Sequence, residues 1–146
     1  MSQTTFSGPL VSGDKQAGVT GGPNTGYAKL SQTQTLAFGA TLVQDATFYL
    51  PANSQITSLL IDVTTAYNSA TSATLSAGTA SGGTTYVSGV NAKTAGRAAI
   101  TYSAAQLLAM SNITTNTTLV VTVTSVGQPA AGSIVVTVDY IQTTGN

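Results

Sequence analysis

The sequence contains no cysteine, histidine, tryptophan or glutamate. Zinc, copper, haem and iron–sulfur sites rely mostly on cysteine, histidine or carboxylate ligands, and histidine is the side chain used most often for general acid–base catalysis. Without cysteine, the fold cannot depend on disulfide bonds. These absences argue against an enzyme, and we expect a protein with no catalytic residues, no metal and no cofactor.

Charged residues are also scarce. Only 5% of the 146 residues are charged, four of each sign, so the formal net charge is zero; ordinary soluble domains carry about 25%. A chain without a basic patch cannot neutralise many phosphates or attach to an anionic membrane surface. We therefore expect neither nucleic acid nor a membrane as a partner.

Long apolar runs are missing as well. No run is long enough to span a bilayer. Residues 1–11 have no Lys or Arg and no apolar run of the kind found in secretory signal peptides. We therefore expect the chain to be synthesised in a cytoplasm.

The chain is rich in threonine (27), alanine (20), serine (15), glycine (15) and valine (13), a mixture that favours pleated strands and tight turns. Seven or eight segments alternate apolar and polar residues with the period of a half-buried strand. The predicted strands are residues 27–38, 41–50, 56–65, 73–80, 84–90, 98–102, 118–124 and 133–140. This pattern predicts an all-β protein, an antiparallel β-sandwich that is either jelly-roll-like or immunoglobulin-like.

Three of these segments carry specific predictions about the core. One face of the second strand is expected to be buried, and its members are Leu42, Ala46, Phe48 and Leu50. The last two strands are predicted to form a hairpin around residues 127–132. Both of them should border the core, because valine, leucine and isoleucine alternate with threonine and serine along their length.

Two further local signals concern a turn and a helix. The tripeptide 81–83 (SGG) supplies the backbone freedom that a hairpin turn needs, so the fourth and fifth strands should pair. Ser103 and Gln106 match a capping box, which predicts one short helix over residues 104–110.

Residues 1–26 differ from the rest of the chain, because glycine and proline interrupt every apolar stretch. We expect an extended glycine-rich N-terminal arm at 1–26, followed by a β-sandwich domain at 27–146. Such an arm lowers its free energy by lying along a neighbour's surface. The residues expected to contact a partner are Phe6, Pro9, Leu10, Val11, Lys15, Val19 and Tyr27.

Two patterns that could support chemistry have simpler interpretations. Gly21 and Gly26 have the spacing of a phosphate-binding loop, but Tyr27 stands where that loop requires Lys, so a joint of the arm is favoured. Asp45 and Asp62 lie on the polar sides of adjacent predicted strands and could form a glycosidase-like carboxylate pair. Solvent-facing charges that keep the strands soluble are the favoured interpretation.

Asparagine and tyrosine give two more candidates. Asn112 and Asn116 match the glycosylation acceptor pattern, but we expect them to shape the turn before the last two strands. The six tyrosines could form a sugar-stacking strip, although a role in the core or in a subunit interface is favoured. They are Tyr27, Tyr49, Tyr67, Tyr86, Tyr102 and Tyr140.

Several short glycine-rich motifs resemble those of small virion structural proteins of tailed bacteriophages. The family wording has an ATLxxGT motif followed by YV and TAG. The matching segments are 73–79 (ATLSAGT), 86–87 (YV) and 94–97 (TAGR), and the segments 7–14 (SGPLVSGD), 50–56 (LPANSQI) and 62–67 (DVTTAY) are similar in style.

The resemblance implies a capsid decoration (cement) protein on the outer surface of a virion, or a head or tail fibre component. The implied partners are the major capsid protein or other virion proteins, together with further copies of the chain in a trimer or dimer. A chain of zero net charge is poorly protected from self-association, which agrees with this expectation. The alternative function is that of a carbohydrate-binding or adhesin β-sandwich, for example in a fibre or spike.

Overall fold

The computed structural model describes residues 27–143, which form eight strands and one helix. In chain order the elements are β1 (Tyr27–Ala37), β2 (Val43–Leu50), β3 (Ser54–Thr65), β4 (Ser72–Gly78), β5 (Val87–Asn91), β6 (Gly96–Arg97), α1 (Ala104–Ser111), β7 (Thr117–Val126) and β8 (Ser133–Thr143). The predicted arm at 1–26 lies outside the described residues.

The strands form two four-stranded antiparallel sheets that enclose one core, so the predicted β-sandwich is confirmed. Sheet A has the order β1-β8-β3-β6, and sheet B has the order β2-β7-β4-β5. The hydrogen-bonded neighbours include β1 with β8, β2 with β7, β3 with β6 and β4 with β5. These are the nested pairs of one long hairpin that has been rolled up, which is the winding of a jelly roll.

This strand order decides between the two predicted architectures. In the immunoglobulin arrangement the first two strands are neighbours in one sheet. Here β1 and β2 are edge strands of opposite sheets. Gln32 and Gln34 of β1 span the gap between these edges, since their side-chain amides donate to the backbone carbonyls of Tyr49 (2.8 Å) and Thr47.

The predicted final hairpin is wrong. β7 and β8 do not pair; each is a central strand of a different sheet. Residues 127–132 therefore cross from one sheet to the other, with positive φ at Gly127 (85°) and Gly132 (156°). The side-chain Oδ1 of Asn68 accepts hydrogen bonds from the backbone N–H groups of Ala130 and Ala131 and holds this crossing in place.

The core lies between the two sheets, and the alternation along β7 and β8 is confirmed. The inward-facing residues of these strands are fully buried; they are Leu119, Val121, Val123, Ile134, Val136 and Val138. Burying each such side chain contributes about 1.5–3 kcal/mol. Because these two strands are central in their sheets, they supply the middle of the core.

The bounds of several predicted strands differ from those in the structure, and two differences concern the core. Leu42 is not buried with Ala46, Phe48 and Leu50; it is 45% exposed, because β2 begins only at Val43. Residues 98–102 do not form a strand. They run beside β3 with the Ala98 N–H donating to the Ile61 carbonyl, and their apolar side chains pack against the core.

Two other local predictions are confirmed. β4 and β5 pair as expected, although a bulge interrupts their register between Leu75 and Ala77. The helix begins with the predicted capping box, in which the Ser103 hydroxyl accepts from the Gln106 N–H and the Gln106 side chain accepts from the Ser103 N–H. α1 ends at Ser111, one residue later than predicted.

The crossing between β7 and β8 generates a stability prediction. A Cβ at Gly132 would lie 2.5 Å from the ring of Tyr67, which is buried and whose hydroxyl donates to the Leu36 carbonyl. We expect Gly132→Ala to lower the free energy of unfolding by about 3 kcal/mol, because neither the ring nor the crossing can move freely. Urea denaturation measures this change.

Gly89→Ala is the matched control. Gly89 also has a positive φ (69°), but no atom lies within 4 Å of the position of its Cβ. Only backbone strain applies there, at about 1 kcal/mol. Equal losses in the two variants would contradict the close packing at Gly132.

Candidate functional site

The sequence-predicted partner contacts lie mostly outside the described residues. Phe6, Pro9, Leu10, Val11, Lys15 and Val19 all precede residue 27, and so does the glycine-rich segment 21–26. Tyr27 is the first residue of β1, where it pairs with Thr143 of β8. These contacts therefore stay predictions.

The structure does not bring the candidate carboxylate pair together. Asp45 and Asp62 are not on adjacent strands, because β2 and β3 belong to different sheets. Asp45 accepts hydrogen bonds from the hydroxyls of Thr122 (2.6 Å) and Ser81 (3.0 Å). Both oxygens of Asp62 are bound by Arg97. Each carboxylate has a structural role instead.

Asp45 fastens the β4–β5 loop to the outer face of sheet B. The buried Thr122 hydroxyl donates to Asp45 and accepts from the Gly82 N–H at 2.8 Å. Ser81 reaches the same carboxylate from the loop. Val120, two residues before Thr122 on the same face of β7, is only 8% exposed.

Asp62 and Arg97 join β3 to the two-residue strand β6. The Arg97 Nε and Nη2 donate to the two Asp62 oxygens, each at 2.8 Å. The hydrogen bonds from Arg97 lower the pKa of the Asp62 carboxyl below its ordinary value; desolvation opposes this effect, and the charge of Arg97 lowers the pKa further. The Asp62–Arg97 contact is the one ion pair among residues 27–143.

The described tyrosines do not form an exposed strip. Tyr67, Tyr86 and Tyr140 are buried in the core. Burial raises the pKa of Tyr67 and Tyr86, and also that of the half-buried Tyr102. Tyr49 differs from all of them, because 73% of its surface is exposed. The expected role in the core is confirmed for the three buried tyrosines.

The two asparagines of the acceptor pattern help to shape the segment before β7, as expected. Asn112 is the C-terminal cap residue of α1. The side-chain Oδ1 of Asn116 accepts a hydrogen bond from the Ala52 N–H at 2.9 Å. This bond connects the β2–β3 turn to the start of β7.

Beside this tie lies a shallow groove of about 340 Å³, which we call the Tyr49 groove. Its walls are two short segments that meet at one end of sheet B. They are Tyr49, Leu50 and Pro51 from the end of β2, and Asn116, Thr117 and Thr118 from the start of β7. None of the six is charged.

Exposed apolar side chains gather at the opposite end of the sandwich. We call this group the Phe38 patch; it consists of Phe38 (44% exposed), Leu42 (45%), Val43 (42%) and Val126 (52%). Backbone contacts hold Leu42 and Val43 beside the end of β7, since the Ser125 N–H donates to the Leu42 carbonyl and Val43 pairs with Thr124. Phe38 follows β1 at the same end of the sandwich, where its N–H donates to the Gly132 carbonyl. The alternation along residues 41–50 predicts that Leu42 is buried, and this prediction is wrong.

A third exposed apolar surface lies on α1. Gln106 and Met110 face the core, whereas Leu107 and Leu108 are 53% and 75% exposed. A surface helix normally turns polar residues outward, yet no residue of α1 is charged. The sequence contains a signal for this surface. The two adjacent leucines lie between the two buried positions of the helix, Gln106 and Met110, which are four residues apart.

The described residues contain no group of three histidine, cysteine, aspartate or glutamate residues that could hold a metal ion. In the same part of the chain, no helix is long and apolar enough to cross a membrane. Comparison with protein families, curated proteins and solved structures found no match to this chain. The candidate functional surfaces are therefore the Tyr49 groove, the Phe38 patch and the exposed leucines of α1.

The loop that Asp45 fastens gives a testable prediction. Thr122→Val removes the hydroxyl that joins Asp45 to the Gly82 N–H and keeps the shape of the side chain. We expect a loss of about 1–2 kcal/mol in the free energy of unfolding and faster hydrogen exchange at the Gly82 amide. Thr124→Val, on the same face of β7 but exposed, should change stability by less than about 0.5 kcal/mol. Unchanged exchange at Gly82 would contradict the fastening role.

The Asp62–Arg97 pair predicts a pH dependence. Since the pKa of Asp62 is lowered from 3.8 by folding, its stabilising effect is present above pH 3.8 and is lost as the pH falls through the folded-state value. A double-mutant cycle of Asp62→Asn and Arg97→Gln should give a favourable coupling near neutral pH that decreases with salt. The same coupling should decrease as the pH is lowered below 3.8, because protonation removes the charge of Asp62. A coupling that survives in acid would contradict this assignment.

Proposed function

We propose that this chain is a non-enzymatic structural protein of a virus particle, a decoration protein that binds the assembled head of a tailed bacteriophage and bridges its subunits. The observation that supports it most is the character of the described surface. The Phe38 patch and α1 each expose large apolar side chains, while only six described residues are charged. Such a surface is suited to burial against other proteins.

The proposed mechanism requires no chemical step. A protein that binds the assembled shell, and not the free capsid protein, stabilises the shell by mass action. The free energy gained grows with the concentration of the decoration protein relative to its dissociation constant. A rigid domain with a well-filled core suits this role, because little conformational entropy is then lost at the interface.

The N-terminal segment would extend the reach of each subunit. β1 begins at Tyr27, at the end of the sandwich that carries the Tyr49 groove, since β1 and β3 both start beside the last residues of β8. Twenty-six residues span about 90 Å when fully extended, whereas a domain of this size has a radius of gyration of about 13 Å. Residues 1–26 are therefore long enough to reach a neighbouring subunit.

The proposal is tested on particles purified from the source culture by density gradient and analysed by mass spectrometry. We expect the chain to band with the major capsid protein at a fixed fraction of its copy number. A few copies per particle would place the chain in a tail or fibre and overturn the decoration role. Absence from every particle fraction would overturn the virion assignment.

Deletion of residues 1–22 gives a second prediction. The described core lies between Leu36 and Tyr140, so the shortened chain should fold with an unfolding midpoint close to that of the full chain. Its binding to particles should fall at least about tenfold, because the contacts of the arm are lost. Co-sedimentation of tagged chains with particles measures the difference.

A matched variant separates the length of the arm from its apolar residues. Replacing Phe6, Leu10, Val11 and Val19 with serine keeps all 26 residues but removes the proposed anchors. This variant should bind as weakly as the deletion. An unfolded deletion variant would show instead that residues 1–22 belong to the core, which contradicts the proposed organisation.

A further inference from the structure

The Tyr49 groove contains an aromatic ring for which neither the core nor the bridging role provides a use. Tyr49 lies at the end of β2 with 73% of its surface exposed, whereas the other tyrosines with described side chains are buried or half-buried. An exposed ring costs free energy in water that burial against a ligand would recover. The ring is therefore a candidate contact surface.

The groove is held open by structure on both sides of the ring. Tyr49 and Thr118 are directly opposite each other on the outer face of sheet B, at a separation of about 5 Å between their Cβ atoms. The hydrogen bond from the Ala52 N–H to Asn116 fixes the turn that carries Pro51. The Tyr49 backbone is itself anchored, because its carbonyl accepts from Gln32.

Three polar groups of the groove have no hydrogen-bond partner among the described residues. Asn116 uses its carbonyl oxygen for Ala52, but its amide nitrogen has no hydrogen bond to any described residue. The same is true of the hydroxyls of Tyr49 and Thr118. These groups offer both donors and acceptors around an apolar face.

The chemistry of the groove restricts its ligand. A phosphate or carboxylate would require a cation, and no charged residue lines the groove. A purely apolar segment would bury the ring but leave the surrounding polar groups unsatisfied, which costs about 1–3 kcal/mol for each buried group. A sugar ring combines an apolar C–H face with a rim of hydroxyls, which matches both features of the groove.

We propose that the Tyr49 groove binds a neutral saccharide, with one sugar ring stacked on Tyr49 and its hydroxyls hydrogen-bonded to Asn116 and Thr118. This activity is independent of the proposed particle binding, and either can fail without the other. It would allow a decorated particle to adhere to uncharged polysaccharides of a cell surface.

The test is an NMR titration of the isotopically labelled full chain with maltohexaose, cellohexaose, mannohexaose and chitohexaose, and with an acidic oligogalacturonate for comparison. We expect at least one neutral saccharide to shift the Asn116 side-chain amide signals saturably, and the acidic one to leave them unchanged. Tyr49→Ala should weaken binding about tenfold or more, and Thr118→Val severalfold.

Leu108→Ala is the control, because Leu108 is 75% exposed and lies on α1, outside the groove. It should bind the saccharide as the unaltered chain does. Absence of saturable binding by any neutral saccharide would overturn the proposal, and so would equal binding by the Tyr49→Ala variant. If deletion of residues 1–22 shifts the same signals without sugar, and saccharides do not displace the arm, the groove is an arm-binding site and the proposal is wrong.

Discussion

The fold depends on the separation of β7 and β8 into opposite sheets. β8 pairs with β1 and β3, and β7 pairs with β2 and β4. Four of the other six strands are therefore hydrogen-bonded to β7 or β8. The inward valine, leucine and isoleucine residues of β7 and β8 meet in the middle of the core. The crossing at residues 127–132 makes this arrangement possible, because it connects the end of β7 in one sheet to the start of β8 in the other.

Because the chain has so few charges, hydrogen bonds from neutral side chains make many of the connections between strands and loops that ion pairs make in other proteins. Amides close the gap between the edges of β1 and β2 and tie the β2–β3 turn to β7. A threonine hydroxyl fastens the β4–β5 loop through Asp45. Such contacts leave the surface polar but almost uncharged. The surface therefore has little electrostatic repulsion to oppose contact with another protein.

The sequence predicts the faces of the strands better than it predicts their partners. Alternation identified the buried residues of β7 and β8, because the two faces of a pleated strand differ in polarity. It could not show that β7 and β8 belong to different sheets, since a six-residue linker suits either a hairpin or a crossing. Leu42 has the parity of a buried residue but lies beyond the end of β2. The Tyr49 groove is formed by two segments more than sixty positions apart in the sequence. A local sequence pattern therefore could not predict it.

We propose above that this jelly roll is a subunit of an assembled particle. An electron cryomicroscopy map of particles purified from the source culture would test this proposal. We expect density for an eight-stranded domain with the order β1-β8-β3-β6 and β2-β7-β4-β5 on the outer surface of the head, with the segment before Tyr27 contacting a neighbouring subunit. A map in which every outer domain is explained by other chains would contradict it.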